Sequence, residues 1–394
     1  MMRMPFFDAG LLRAAAAALA AAVLFAGCAT ESRLPPPSPS FAAYVAQTRA
    51  DIAAHRRFAT ADRADEVNRM APWEMRPEHP DGRAVLFIHG LGDSPWTFRD
   101  TGAELAREGI LVRTVLLPGH GTRPEAMLDF DGCDWIEAAR RELLRLKREG
   151  YRVWVGGFST GGNIAIALAD EIEVEGVALF SPAPYVRTNL VYLVPAASLF
   201  FEWLRSPEET GGGTTPVRYR TIPMTGLSAF YDTMRAAQTA LAHPSPTLRR
   251  TPVFLALAES DSIVDARRVL DAADGAFRRR GSDVLWYGEA APQTARLPLF
   301  RLESRLPKEH VRSFSHLSLN FSPENDYYGR QGRLKRCAGA EAAARSPYLH
   351  CGTPEAEVTY GAWGEKRGEG VFVRLTFNPY FRLQTERLID FFSH

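Results

Sequence analysis

Gly157-Phe158-Ser159-Thr160-Gly161 lies between an apolar run, residues 151–155, and an Ala-rich stretch, residues 163–170. A strand, a Gly-x-Ser-x-Gly turn and a helix in that order describe a sharp elbow that exposes a serine hydroxyl at the top of a sheet. The turn forces the serine into a strained backbone, so only small neighbours fit. Gly157 and Gly161, two residues to either side of Ser159, supply that room. Five residues alone are a weak signal, so the surrounding pattern has to carry the argument.

That pattern is a repeating one. Residues 84–88 form a continuous apolar run, as expected of a strand buried on both faces. Residues 96–108 read as helix, 110–117 as strand, 135–148 as amphipathic helix and 152–155 as strand leading into the elbow. Strands follow at 176–180, 252–258 and 283–287, with a helix over 263–278. Alternating strand and helix predicts an α/β fold, a mostly parallel sheet flanked by helices. Sites in such sheets sit at the carboxyl ends of the strands.

Residues 183–250 break the rhythm. They hold apolar groups (Leu190, Tyr192, Leu193, Leu199, Phe200, Phe201, Trp203), a Gly211-Gly212-Gly213 run and a helical stretch over 226–241. This segment reads as a cap inserted over the strand ends. A second, cysteine-bearing insertion runs from about residue 323 to 370, within a main domain spanning 81–394.

The amino-terminal residues read as processing signals. Arg3 and Arg13 lead an apolar run, 14–26, that ends in Gly27-Cys28. Leu24-Phe25-Ala26-Gly27-Cys28 resembles a bacterial lipobox, with Phe25 where Leu is usual. Residues 1–28 are then a lipoprotein signal and Cys28 the lipidated residue. That predicts a cell-envelope protein held on a membrane surface, and resemblance to enterobacterial lipoprotein sorting, with Ala29 and no Asp after the cysteine, implies the outer membrane. Residues 29–80 follow as a proline-rich tether and an extension. An exported compartment permits a disulfide between Cys337 and Cys351. Cys133 reads as a small buried apolar residue beside Trp135. The 394 residues carry a formal net charge of +1, which provides no field for nucleic acid.

A serine hydroxyl is a poor nucleophile, so Ser159 needs a base, and the base an orienting acid. On this scaffold the acid and then the histidine follow the serine. Asp261, just after the strand at 252–258, is the candidate acid. Glu259 is a rival, and Asp265 is better suited to capping the next helix. His316 is the candidate base. His310 competes but sits among Lys308, Glu309 and Arg312, while His350 and His394 are less well situated. Oxyanion donors are expected at the backbone N–H of Thr160 and of Leu91, the latter in the glycine-rich loop His89-Gly90-Leu91-Gly92. His89 and His120 read as braces for their turns, and nothing has metal-ligand spacing.

HGLGDSPWTF, LPGHG, GGFSTGG, ESDSIVD and SHLSL, in this order, resemble the α/β-hydrolase superfamily over roughly residues 83–320 and 379–392. Within it the chain is most similar to the monoacylglycerol-lipase and carboxylesterase branch. The resemblance implies hydrolysis of a small-molecule or lipid ester through Ser159, His316 and Asp261, without a cofactor. A thioesterase or peptidase on the same scaffold, or a tethered binding protein, remains open at this point. The chain departs from the family after Tyr287, where about twenty residues precede the histidine region.

Overall fold

The computed structural model describes residues 33–333, 336–337, 358–363 and 371–394, with backbone alone at 336–337. Two helices, α1 (Phe41–His55) and α2 (Arg63–Met70), precede the frame. The frame begins with β1 (Glu74–Met75), β2 (Arg83–Ile88), α3 (Arg99–Arg107) and β3 (Leu111–Val115). It continues with α4 (Gly132–Arg148), β4 (Arg152–Phe158), α5 (Thr160–Glu171) and β5 (Val177–Phe180). The segment between β5 and β6, expected as a cap and given that label below, follows and contains α6 (Met224–Ala242). Then come β6 (Pro252–Ala258), α7 (Ala266–Ala276), β7 (Arg278–Tyr287) and β8 (Leu299–Leu302). Short strands β9 (Arg336–Cys337), β10 (Thr359–Gly361) and β11 (Phe372–Arg374) make a separate small sheet before the final helix α8 (Phe381–Phe392).

The main sheet has eight strands in the order β1-β3-β2-β4-β5-β6-β7-β8. Only β1 runs antiparallel to its neighbour. The apolar runs explain the layering, because successive side chains on a strand face opposite ways. Along β2, Ala84, Leu86 and Ile88 enter one core with Trp135, Leu143 and Ile164 of α4 and α5. Val85 and Phe87 enter the other, with Leu105 of α3 and Leu388 and Phe391 of α8. Helices on both faces leave the carboxyl ends of the strands as the open rim.

The segment ahead of the sheet is fastened down. Arg141 donates to the Pro35 carbonyl at 2.6 Å and Arg145 to that of Ser38 at 2.8 Å, so the carboxyl-terminal part of the tether lies on α4. Tyr44 Oη accepts the Leu116 N–H at 3.0 Å. Arg56, buried, pairs with the buried Glu66 at 2.8 Å and also donates to the carbonyls of Gly121 (2.8 Å) and Thr215 (2.6 Å).

Two expectations need correcting. Residues 283–287 are not the last strand before the histidine region. β7 starts earlier, and β8 adds a further parallel edge strand, Val284 facing Leu299. Those four residues have an exposed Phe300 and Arg301, so they carry little of the apolar signature that marks a buried strand. Cys133 is not a free buried thiol but half-buried at the start of α4 and disulfide-bonded. Its partner, like Cys28, Cys351 and the side chain of Cys337, lies outside the described residues, and so does the expected Cys337–Cys351 bond. A bond at Cys133 takes one of the other three cysteines of the chain. Lipidation at Cys28 and a Cys337–Cys351 bridge therefore cannot both coexist with it.

Candidate active site

Ser159 is the last residue before α5, with φ 55° and ψ −114°. A non-glycine residue there stores on the order of 1–3 kcal/mol of strain, which the surrounding packing must hold. That packing explains both flanking glycines. A Cβ on Gly157 would sit 2.2 Å from Gly161 backbone atoms, and one on Gly161 would sit 1.9 Å from the Ile88 carbonyl oxygen. The loop after β2 thus lies in direct contact with the elbow. Ser159 N–H donates to the Phe180 carbonyl at 3.1 Å, fixing the elbow to the end of β5.

Three loops at the same rim bring Ser159, His316 and Asp261 together. Ser159 Oγ lies 3.0 Å from His316 Nε2, and His316 Nδ1 lies 2.6 Å from Asp261 Oδ2. Asp261 follows β6, and its other oxygen accepts the N–H groups of Ile263 (2.8 Å) and Val264 (2.9 Å). Burial works to raise the Asp261 pKa. The adjacent His316, by charge and hydrogen bond, and the two backbone donors outweigh it and hold the carboxyl below its ordinary range. Asp265, in contrast, caps α7 by accepting the Arg268 N–H. Glu259 faces away and accepts the Glu289 N–H at 2.7 Å. His310 is exposed, at φ 56° on a turn away from the three. His350 lies outside the described residues, and His394 is exposed at the carboxyl terminus.

The histidines of the two glycine turns serve as acceptors. His89 Nε2 accepts the Leu117 N–H at 3.0 Å, so its Nδ1–H donates to the Gly90 carbonyl at 2.8 Å. His120 Nε2 accepts the Gly92 N–H at 3.0 Å and its Nδ1–H donates to the Pro118 carbonyl. Burial lowers the His89 pKa to about 4 and that of His120 well below its ordinary value, which keeps both rings neutral. The effect is to fix the loop at 89–92. Asp93 N–H is spent on the Gly90 carbonyl and Gly92 N–H on His120. Among the described residues the N–H groups of Leu91 and Thr160 have no acceptor. One lies in the loop pressed on the elbow and the other at the first turn of α5, where the helix dipole favours negative charge.

The site is closed in this conformation: Ser159 is 8 % exposed, His316 6 % and Asp261 1 %. Sequence reasoning missed the residues that hold the loops. Arg187, at the start of the cap, donates to the carbonyls of Asp261 (2.5 Å) and Glu259 (3.1 Å) and so clamps the acid turn. Ser315 donates to the Leu375 carbonyl at 2.6 Å and accepts from Arg374 at 3.3 Å, which ties the His316 loop to β11. The Phe158 ring packs on the imidazole of His316 with centroids 4.9 Å apart. Phe158 and Ser315 lie within GGFSTGG and SHLSL, but at positions whose type those motifs leave unexplained, and each contact joins segments far apart in the chain. Among the described residues no group of three or more His, Cys, Asp or Glu side chains is arranged to hold a metal ion.

A thermostable monoacylglycerol lipase of Bacillus sp. (strain H-257) is 31% identical over 86 residues, 22% of this chain and 34% of that enzyme. An uncharacterized protein of Mycobacterium bovis is 34% identical over 88 residues, 22% of this chain and 25% of its own length. The chain thus spans about a third or less of these relatives. Among solved structures, a monoglyceride lipase from Saccharomyces cerevisiae, in complex with a substrate analog, is 16% identical with a TM-score of 0.42. It covers 59% of this chain and 81% of its own. A carboxyl esterase from Bacillus coagulans, in complex with glycerol, is 12% identical with a TM-score of 0.43, covering 59% and 85%. The family model, in contrast, matches residues 85–367, from β2 through the elbow and both later loops. This protein belongs to the alpha/beta hydrolase family.

Proposed function

We propose that the chain is a serine hydrolase that cleaves carboxylic esters with acyl or lipid-like chains. The observation that carries this reading is the unbroken line from Ser159 Oγ through His316 to Asp261, at 3.0 and 2.6 Å. His316 Nε2 takes the Ser159 proton as Oγ attacks the ester carbonyl. The resulting oxyanion accepts from the N–H groups of Leu91 and Thr160. The imidazolium, steadied by the Asp261 carboxylate, then protonates the leaving alcohol, and an acyl-serine remains. Water, deprotonated by the same nitrogen, releases the acid and restores the serine.

Support for an apolar acyl group comes from the cap, where Leu190, Leu193, Leu199, Phe200 and Phe201 are exposed to solvent. The lipobox-like Leu24–Cys28 segment supports attachment to a bacterial envelope membrane through Cys28, with the outer membrane as the expected address. The test is a panel of p-nitrophenyl esters of graded chain length, with Ser159→Ala as the control. Turnover should be measurable, should rise from acetate towards medium chains and should vanish in the variant. Absence of turnover on every ester would refute the reading, as would activity that survives loss of Ser159.

A further inference from the structure

The opposite end of the sheet from Ser159 carries arginines that the site does not use. Arg249 and Arg250 close a short helix, Pro246–Arg250, directly before β6, and Arg278, Arg279 and Arg280 open β7. Strand pairing brings the two groups side by side, because Pro252 of β6 faces Arg278 of β7. The register then jumps, and Phe254 faces Asp283. Val253 alone therefore stands opposite residues 279–282, and the surplus loops out as a bulge. Gly281, at φ 81°, makes the turn. Ser282 Oγ accepts the Val253 N–H at 2.9 Å and donates to the Arg278 carbonyl, which pins the bulge at its base. A bulge sacrifices ladder hydrogen bonds and re-aims the side chains on it. Here the side chains it turns to solvent are Arg279 and Arg280.

All five arginines are exposed, and among the described residues none has a carboxylate partner. Arg113, Arg140 and Arg141, by contrast, each bind one or two carboxylates. Beside the bulge is a concavity of about 710 Å³ lined by Arg278, Arg280, Ser282 and His394. Its acids are Asp283, already taken by Arg387, Asp390 and the terminal carboxylate. Within the concavity the charges balance, but over the whole face the five arginines and Arg387 outnumber Asp283, Asp390 and the terminal carboxylate, although the whole chain is nearly neutral.

We propose that this arginine face docks on an anionic, phosphate-bearing lipid surface. Guanidinium forks match phosphate oxygens two at a time, and five of them on one face suit an array of headgroups. The aromatic lining the concavity, Phe391, is buried, so among the described residues there the face offers no stacking platform of the kind a single-stranded nucleic acid would use. Docked in this way, the protein turns its site and its apolar cap away from the lipid it rests on. The proposal stands independently of the ester chemistry.

The test compares the full chain with a variant carrying R249Q, R250Q, R278Q, R279Q and R280Q. Binding is measured to vesicles of phosphatidylcholine alone and of equal parts phosphatidylcholine and phosphatidylglycerol, so any contribution of the amino-terminal segment cancels. The wild type should prefer the anionic vesicles by about three-thousandfold at low salt, since each of the five arginines near such a surface contributes roughly fivefold. The preference should disappear in the glutamine variant and persist when the five are changed to lysine. Labelling of Ser159 by a fluorophosphonate should be equal in all three, which reports an intact fold. A preference that survives in the glutamine variant would overturn the proposal. So would its complete loss in millimolar inorganic phosphate at constant ionic strength, which would mark a free-phosphate site.

Discussion

The extension ahead of the sheet and the cap inserted after β5 both depart from the strand–helix frame, and they are built in opposite ways. The extension is tied in by charge that is fully matched. Arg56 and Glu66 are both buried, and Glu66 also accepts the N–H groups of Ala59 and Thr60. From there Arg56 reaches the Gly121 carbonyl, next to the His120 that fixes the loop at 89–92, and the Thr215 carbonyl in the cap. The cap is tied in at its base and left unsatisfied elsewhere. Its outer segment exposes Leu199 at 79 % and Phe200 at 80 %. Its helix α6 holds Asp232 against the start of α4, where burial raises its pKa to about 6, the Gly132 N–H offsets some of that and Asp131 adds to it. The extension behaves as part of the scaffold, whereas the cap keeps surface and charge that do little for stability.

The largest effect should come from breaking the matched pair. Arg56→Met leaves the Glu66 carboxylate buried without its cation, and removing one partner of a buried pair costs about 3–5 kcal/mol. Urea denaturation should show that loss, together with slower ester turnover at a nearly unchanged KM, because the loop at 89–92 loses its support. An Arg56→Met protein as stable as the wild type would remove the distinction between the two regions.

Asp232→Asn should act in the other direction. The folded protein keeps the Asp232 proton up to about pH 6, whereas the unfolded chain releases it near 3.8. The contribution of this group to stability is therefore full below the unfolded value and lost as pH rises through about 6. The variant should match the wild type at pH 4 and exceed it at pH 8, by about 1–3 kcal/mol given partial screening at a half-buried position. Melting curves at both pH values decide it, and equal stability at pH 8 would count against a strained cap charge.

Smallest in stability should be Phe200→Ser with Phe201→Ser. Both residues are exposed, so unfolding should shift by no more than about 0.5 kcal/mol. Turnover of long-chain esters should nevertheless fall relative to short ones. Equal losses on short and long esters would mean that the exposed apolar surface has no part in acyl recognition.

The frame was readable wherever burial on both faces leaves an unbroken apolar run, as in β2 and β6. β8 was not, because an edge strand of four residues with exposed side chains imposes no such pattern. Around the site, the glycines of the elbow and the order Ser159, Asp261, His316 were readable since local geometry and chain order constrain them. Arg187, Ser315 and Arg56 were not, because each acts through carbonyls of distant segments that accept from any donor. Cysteine spacing likewise gives no connectivity, and the bonded state of Cys133 came only with the fold.

The most direct measurement of the account is the rate at which a fluorophosphonate labels Ser159 in the wild type, His316→Ala and His310→Ala proteins, each verified as folded. Loss of the true base should slow labelling on the order of a thousandfold or more. That loss is expected in His316→Ala, with wild-type labelling in His310→Ala. Labelling that persists without His316, or that depends on His310, would contradict it.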